Sequence, residues 1–153
     1  MRSRSCLTSS MLEVGQQYRT TLSFTAEQVA QYCSLSSDWN SIHSDSAAAG
    51  LRFEGATDIV VPGGLIQISI TGIFGTDFPG DGCLGLAFEP ERFRKPVFPG
   101  DAIDVEIEVT KTRGPLVEVD VTMKDGAGNV ISTAKSRLLA PDDAYREWWL
   151  KQS

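Results

Sequence analysis

The sequence predicts an α+β domain in which one antiparallel sheet packs on a buried helix. Three observations carry this expectation. Ala102 to Thr110 (AIDVEIEVT) alternates cleanly, with Ile103, Val105, Ile107 and Val109 on one face and Asp104, Glu106 and Glu108 on the other, as a half-buried antiparallel strand does. Val117 to Met123 alternates as well, and Asp125-Gly126 with Gly128-Asn129 supplies a turn into Val130 to Leu139. Ahead of these strands, the segment that follows Pro62 is apolar on nearly every side, which suits a helix buried on most of its surface. Helices followed by an antiparallel meander give the α+β class.

Each element can be justified in order. Gln17 to Thr25 (QYRTTLSFT) has the aromatic and β-branched character of a strand. Thr25 then reads as an N-cap, with Gln28 in the capping-box position and Val29, Tyr32 and Cys33 at helical spacing. The polar stretch SSDWNSIHSD shows no periodicity and reads as a loop with a short turn. In DIVVPGGLIQISITGIFGTDF the isoleucines alone permit a strand, but Pro62 suits a first helical turn, where its missing N–H has no intrahelical partner. Leu84 to Phe93 is a further strand candidate. With no internal repeat or linker, residues 12–140 read as one folded unit, residues 1–11 as a flexible leader and residues 141–153 as a helical tail. In that tail Trp148 and Trp149 could cover a pocket or a dimer edge, though a plain surface-packing helix is the simpler expectation.

Composition bounds the function. With 153 residues, 41% hydrophobic and 22% charged, the chain can bury a single core. A net charge of −6 argues against a nucleic-acid binder. Arg92, Arg94 and Lys95 form the densest basic cluster, which on composition alone is as readily a solvated strand end as a phosphate contact. The three cysteines, Cys6, Cys33 and Cys83, show no CxxC spacing, so neither a disulfide scaffold nor a zinc site is expected, and a reducing cytoplasm fits. No apolar run approaches bilayer-spanning length, and MRSRSCLTSS lacks the apolar stretch of a secretory signal, so no membrane partner is expected.

His43 is the only histidine, which excludes a multi-histidine metal centre and leaves one imidazole for proton transfer near neutral pH. In Asp38-Trp39-Asn40-Ser41-Ile42-His43 a carboxylate and an imidazole can face one water, with Asn40 orienting the loop. On spacing alone such a pair is more often a set of surface or turn residues. Pro62-Gly63-Gly64 heads the buried helix, where unpaired amides without side chains can approach a carbonyl oxygen closely. A tight strand-to-helix turn accounts equally well for those glycines.

Three blocks together resemble one family. SSDWNSIHSD resembles the D-x-N-P-x-H-x-D signature of MaoC-like (R)-specific enoyl-CoA hydratases, with Ser41 in place of proline. VVPGGLIQISITGIFG is similar to that family's central helix, and FRKPVFPGDAIDVEIEVT to its F-K-x-P-V-x-x-G-D strand. The blocks occur in the family's order and cover about Leu12 to Leu139. The resemblance implies a hot-dog fold, in which the sheet wraps the central helix, and a homodimer with substrate between subunits. It implies Asp38 and His43 as the catalytic pair that activates water, Asn40 as support of the same loop, and Gly63 as the amide donor to a thioester carbonyl. It also implies that Thr71 replaces a serine whose hydroxyl supports the catalytic loop; Pro62, Gly64, Arg94 and Lys95 are expected to border the substrate. Pro62 and Gly64 stand where the family carries histidine and methionine, which alters the pocket while keeping the glycine amide. The activity implied is reversible syn hydration of a trans-2-enoyl thioester to a (R)-3-hydroxyacyl thioester, with CoA or phosphopantetheine as part of the substrate and no other cofactor or metal. A specialised dehydratase or isomerase for a carrier-bound, polyketide-like chain and a non-catalytic acyl-binding subunit are the alternatives; a hot-dog thioesterase fits less well.

Overall fold

The computed structural model describes residues 4–152. Its strands are β1 (Gln17–Leu22), β2 (Leu84–Pro90), β3 (Ile103–Arg113), β4 (Leu116–Lys124) and β5 (Val130–Leu139). They form one antiparallel sheet in the order β1-β3-β4-β5-β2. The helices are α1 (Ala26–Ser36), α2 (Ser46–Arg52), α3 (Gly63–Thr76) and α4 (Asp143–Leu150). The α+β expectation holds, and so does the buried helix.

The alternation read from the sequence sets the sheet's inner face. Val105, Ile107 and Val109 of β3 pair in register with Met123, Val121 and Val119 of β4, Ile103 pairs with Leu22 of β1, and all eight are buried. These side chains share one apolar cluster with Leu65, Ile66, Ile70, Ile73 and Phe74 of α3. A one-residue slip would turn Asp104, Glu106 and Glu108 into that cluster, so the core itself fixes the register. The sheet therefore closes around α3, the hot-dog arrangement that the resemblance implies.

Boundaries shift modestly. The strand expected over 102–110 continues to Arg113, through a register irregularity after Val109. The strand expected to reach Phe93 ends at Pro90. Helix α1 begins where the capping box placed it: Thr25 accepts from the Gln28 amide, and the Gln28 side chain accepts from the Thr25 amide. Helix α2 was not anticipated, although its signal is present: Asp45 caps the Ala47 amide ahead of an alanine run. Pro62 is the residue before α3 rather than in its first turn; its extended ψ of 132° aims its carbonyl at the Leu65 amide, 3.0 Å away.

The expectation of a flexible leader over residues 1–11 needs correcting for its described part. Residues 4–11 pack against the end of α3: Cys6 bridges Gly80, Ser5 N–H reaches Thr76 O at 2.9 Å, and Asp81 N–H reaches Ser5 O at 2.7 Å. Gly80 permits this, because its φ is +106° and a Cβ there would strike the Ser5 backbone. Helix α4 covers the same corner: Tyr145 donates to Asp81 at 2.6 Å, and Arg146 donates to the Cys6 carbonyl at 3.0 Å. Trp148 stays half-exposed, its ring tilted against Tyr145. So the tail is a surface-packing helix.

All three cysteines are free. Burial pushes the Cys83 thiol up to about 11. Burial also raises Cys6, with the Asp81 charge adding to it, and raises Cys33, with the Asp38 charge adding to it. Thiolate is the reactive form, so at about pH 8 the folded protein should react slowly with DTNB at every thiol and release full colour only after denaturation. Prompt labelling of the native protein would contradict this environment.

Candidate active site

The loop between α1 and α2 places the expected pair. Ser37 ends α1 in the left-handed conformation, at φ 57°, and turns the chain toward Asp38. Asp38 Oδ1 accepts from the Asn40 amide at 3.2 Å, and Asn40 Oδ1 accepts from the Ile42 amide at 3.3 Å, opening a 3-10 turn over Ser41–His43. Asn40 thus closes the start of this loop through both its amide and its side chain. Ser41, standing where the family carries proline, occupies the first position of that turn, and its carbonyl accepts from the Ser44 and Asp45 amides.

His43 Nδ1 lies 2.6 Å from the Val60 carbonyl. A carbonyl can only accept, so the ring proton sits on Nδ1, and neutral His43 presents a bare Nε2. Asp38 Oδ2 stands 3.6 Å from that Nε2. Two acceptors at this separation do not bond each other; one water can bridge them by donating a hydrogen to each. The side chain of His43 is only 9% exposed while that of Asp38 is 37% exposed, so the imidazole is fixed within the wall and the carboxylate opens to solvent. Val60 also donates its amide to Ile42 O at 2.9 Å, which ties the loop to the chain leading into α3. Sequence reasoning missed Val60, because a backbone carbonyl leaves no trace in residue type.

His43 shares a cavity of about 280 Å³ with Gly63, Phe93, Arg94 and Lys95. The Gly63 and Gly64 amides head α3, where no carbonyl four residues back is available, and neither has a protein acceptor among the described residues. A Cβ at Gly63 would lie 3.0 Å from the Phe93 ring, so the glycine lets an aromatic wall approach. A Cβ at Gly64 would collide with the Tyr32 hydroxyl. Tyr32 of α1 therefore occupies the space where the family carries a methionine. Its helical spacing placed it toward the core, but nothing in the sequence pointed it at Gly64. Pro62, the other departure, is buried beneath this turn.

Two expected residues behave differently. Thr71 lies two turns beyond Gly63, about 12 Å along α3 at 1.5 Å per residue. Its hydroxyl donates to Ile68 O at 2.7 Å, and it lines a groove with Phe74, Cys83 and Leu86 rather than the His43 cavity. Within one chain it does not support the loop that carries Asp38 and His43. Lys95 reaches the cavity, yet its ammonium is bonded to Asp125 Oδ2 at 2.6 Å. That bond, with the Asn129 and Ala127 amides, holds the Asp125 carboxyl down at about 2. A larger depression of about 350 Å³ lies on the outer face of the sheet among Glu89, Glu118, Asp120, Lys135 and Arg137, away from this chemistry. Among the described residues no three His, Cys, Asp or Glu side chains cluster as metal ligands, and no helix is long and apolar enough to cross a membrane.

Comparison with known proteins gives this geometry its context. The model of the MaoC-like domain matches residues 9–134. The (R)-specific enoyl-CoA hydratase of Aeromonas caviae is 38% identical over 108 residues, covering 70% of this chain and 78% of that protein. A mitochondrial 3-hydroxyacyl-[acyl-carrier-protein] dehydratase of tomato, Solanum lycopersicum, is 30% identical over 111 residues, covering 72% of this chain and 64% of its own. The solved structure of the R-hydratase PhaJ1 from Pseudomonas aeruginosa superposes with a TM-score of 0.83 at 26% identity, over 92% of this chain and 90% of that one. With a family match over most of the folded unit and a shared architecture, this chain belongs to the MaoC-like family of hot-dog proteins.

Proposed function

We propose that the protein is an (R)-specific enoyl-thioester hydratase, adding water reversibly to a trans-2-enoyl-CoA. The observation that carries this reading is the pair of acceptors, Asp38 Oδ2 and His43 Nε2, 3.6 Å apart, with His43 lining the same cavity as the unpaired Gly63 amide. The thioester carbonyl accepts from Gly63 N–H at the positive end of α3, which draws electron density away from the β-carbon. A water that donates to both acceptors turns its oxygen lone pair toward that carbon. As the C–O bond forms, Asp38 takes one hydrogen, and negative charge moves to the carbonyl oxygen as an enolate. His43 holds the water, and the proton taken by Asp38 returns to the α-carbon from the same side, which completes H and OH addition to one face. A positioned acid or base contributes about two to four orders of magnitude and an oxyanion donor about two to three. The similarity to the A. caviae hydratase supports the CoA substrate. A panel of enoyl and 3-hydroxyacyl thioesters, followed through the conjugated enoyl absorbance, tests the reading. Loss of absorbance is expected; thiol release with the absorbance intact would point to a thioesterase instead, and saturable binding without turnover to an acyl-binding subunit.

The tomato relative supports a second reading, dehydration of a carrier-bound 3-hydroxyacyl chain, with the Gly64 and Tyr32 exchange reshaping the pocket for a specialised acyl group. Turnover of acyl-carrier-protein substrates without turnover of CoA thioesters would favour it. The proposed chemistry calls on no cofactor beyond the carrier of the thioester. Three free thiols suit a reducing cytoplasm.

The proposal includes a homodimer. Strand β2 is an edge, paired with β5, and it exposes Leu84 and Leu86, the latter lining a groove with Thr71 and Phe74 of α3. An open apolar edge invites a second copy. Leu84→Glu with Leu86→Glu should convert the dimer to monomer in sedimentation velocity and lower turnover. An unchanged sedimentation coefficient, or a monomeric wild type, would remove the dimer from the proposal.

A further inference from the structure

We infer that Arg94, assisted by Arg92, is the phosphate-recognition site of this enzyme, and that Lys95 is not. The inference rests on the thioester reading above and adds the part of the substrate held outside the reacting centre. The Arg92, Arg94 and Lys95 cluster can be divided by what each cation already bonds. Lys95 is committed: Asp125 takes its ammonium at 2.6 Å, and Asp125 is itself fixed by the Ala127 and Asn129 amides. A neutralised lysine has little left for a phosphate. Arg94 and Arg92 are exposed, and among the described residues neither guanidinium pairs with a carboxylate.

Position separates these cations from an ordinary solvated strand end. Arg94 lines the cavity that also holds His43 and Gly63, at the end where Phe93 packs over the glycine. Its backbone is anchored, since the Arg94 amide donates to Ile131 O at 2.8 Å, while the Lys95 and Asp125 pair holds the next residue. A carbonyl bound at Gly63 with its β-carbon toward Asp38 directs the sulfur and its carrier arm out past Phe93. Of the two cations that line this cavity, Arg94 is the one no described carboxylate compensates. On a chain of net charge −6 this local cation runs against the overall field, and a guanidinium suits the oxygens of a phosphate ester. The shared ligand chemistry is phosphorylated pantetheine, whether as CoA with its diphosphate and ribose phosphate or as the single phosphodiester of a carrier protein.

Three probes separate the sources: crotonyl-CoA, crotonyl-phosphopantetheine and crotonyl-pantetheine, which carries no phosphate. Arg94→Gln should raise KM for both phosphorylated thioesters about tenfold or more with kcat nearly unchanged, and leave pantetheine kinetics as in the wild type. Arg92→Gln should give a smaller shift of the same kind. A larger loss on crotonyl-CoA than on crotonyl-phosphopantetheine would assign the contact to the nucleotide phosphates, and equal losses to the phosphate next to pantetheine. An unchanged KM for both, or an equal loss on pantetheine, would overturn the inference. Calorimetric binding of CoA itself keeps the question separate from catalysis. Arg94→Gln should bind CoA about tenfold more weakly even if no thioester is hydrated, and equal affinity would overturn the site.

Discussion

Asp38→Asn and His43→Gln should each lower kcat/KM for crotonyl-CoA by about two to four orders of magnitude while the protein stays folded. The two variants fail for different reasons. Asparagine keeps the Oδ1 acceptor that Asp38 offers the Asn40 amide, so the loop stays closed. In place of Oδ2, however, it presents an NH₂ donor 3.6 Å from the bare Nε2 of His43. Donor and acceptor then close on each other, and the water loses both its seat and its base. Glutamine at position 43 can place one polar group near Val60 O but cannot offer a second, proton-accepting nitrogen across the ring. Circular dichroism and sedimentation should match the wild type, since Asp38 is partly exposed and neither substitution changes volume much. Near wild-type turnover in both variants would remove this pair from the chemistry.

Gly64→Ala is expected to damage the turn, and Tyr32→Phe to repair it. An added Cβ would overlap the Tyr32 hydroxyl and stand 3.1 Å from the ring carbon that bears it. Overpacking of this kind costs about 1–3 kcal/mol, or several degrees of Tm in a domain of this size. Relief by displacing the start of α3 would move the Gly63 amide off the carbonyl oxygen and lower kcat as well. Removing the hydroxyl in the Tyr32→Phe, Gly64→Ala double variant should restore most of the Tm and most of the activity. The remaining 3.1 Å approach to the ring carbon is still closer than ordinary van der Waals contact, which keeps the recovery from being complete. Differential scanning calorimetry with initial rates on the two single variants and the double variant decides it. A double variant no better than Gly64→Ala alone would mean that Tyr32 does not set this wall.

Legibility followed the range of the interaction. Strand β3 was plain because its period-2 pattern answers directly to one buried face, and α1 because its capping box is complete within four residues. Asp38, Asn40 and His43 were legible because a single loop holds them, and the structure does bring them together. The partners that make the site specific come from afar. The Val60 carbonyl fixes the His43 tautomer, Tyr32 fills the space above Gly64, and Phe93 packs on Gly63. Each depends on how separate elements are brought into contact, which no local pattern records. The leader was misread for the same reason: its backbone pairs with a distant turn through Gly80, and its polar composition hid that contact. Thr71 matched the family pattern by position, yet its helix face turns it toward β2 and away from the loop.

In the proposed chemistry one water, held between a carboxylate and an imidazole, delivers both of its components to one face of an enoyl thioester steadied at a glycine amide. Hydration of crotonyl-CoA in deuterium oxide, with the configuration of the product read at both carbons, checks this. The expected product carries hydroxyl at C3 in the R configuration and deuterium at C2 added to the same face. An S alcohol, or deuterium on the opposite face, would contradict it.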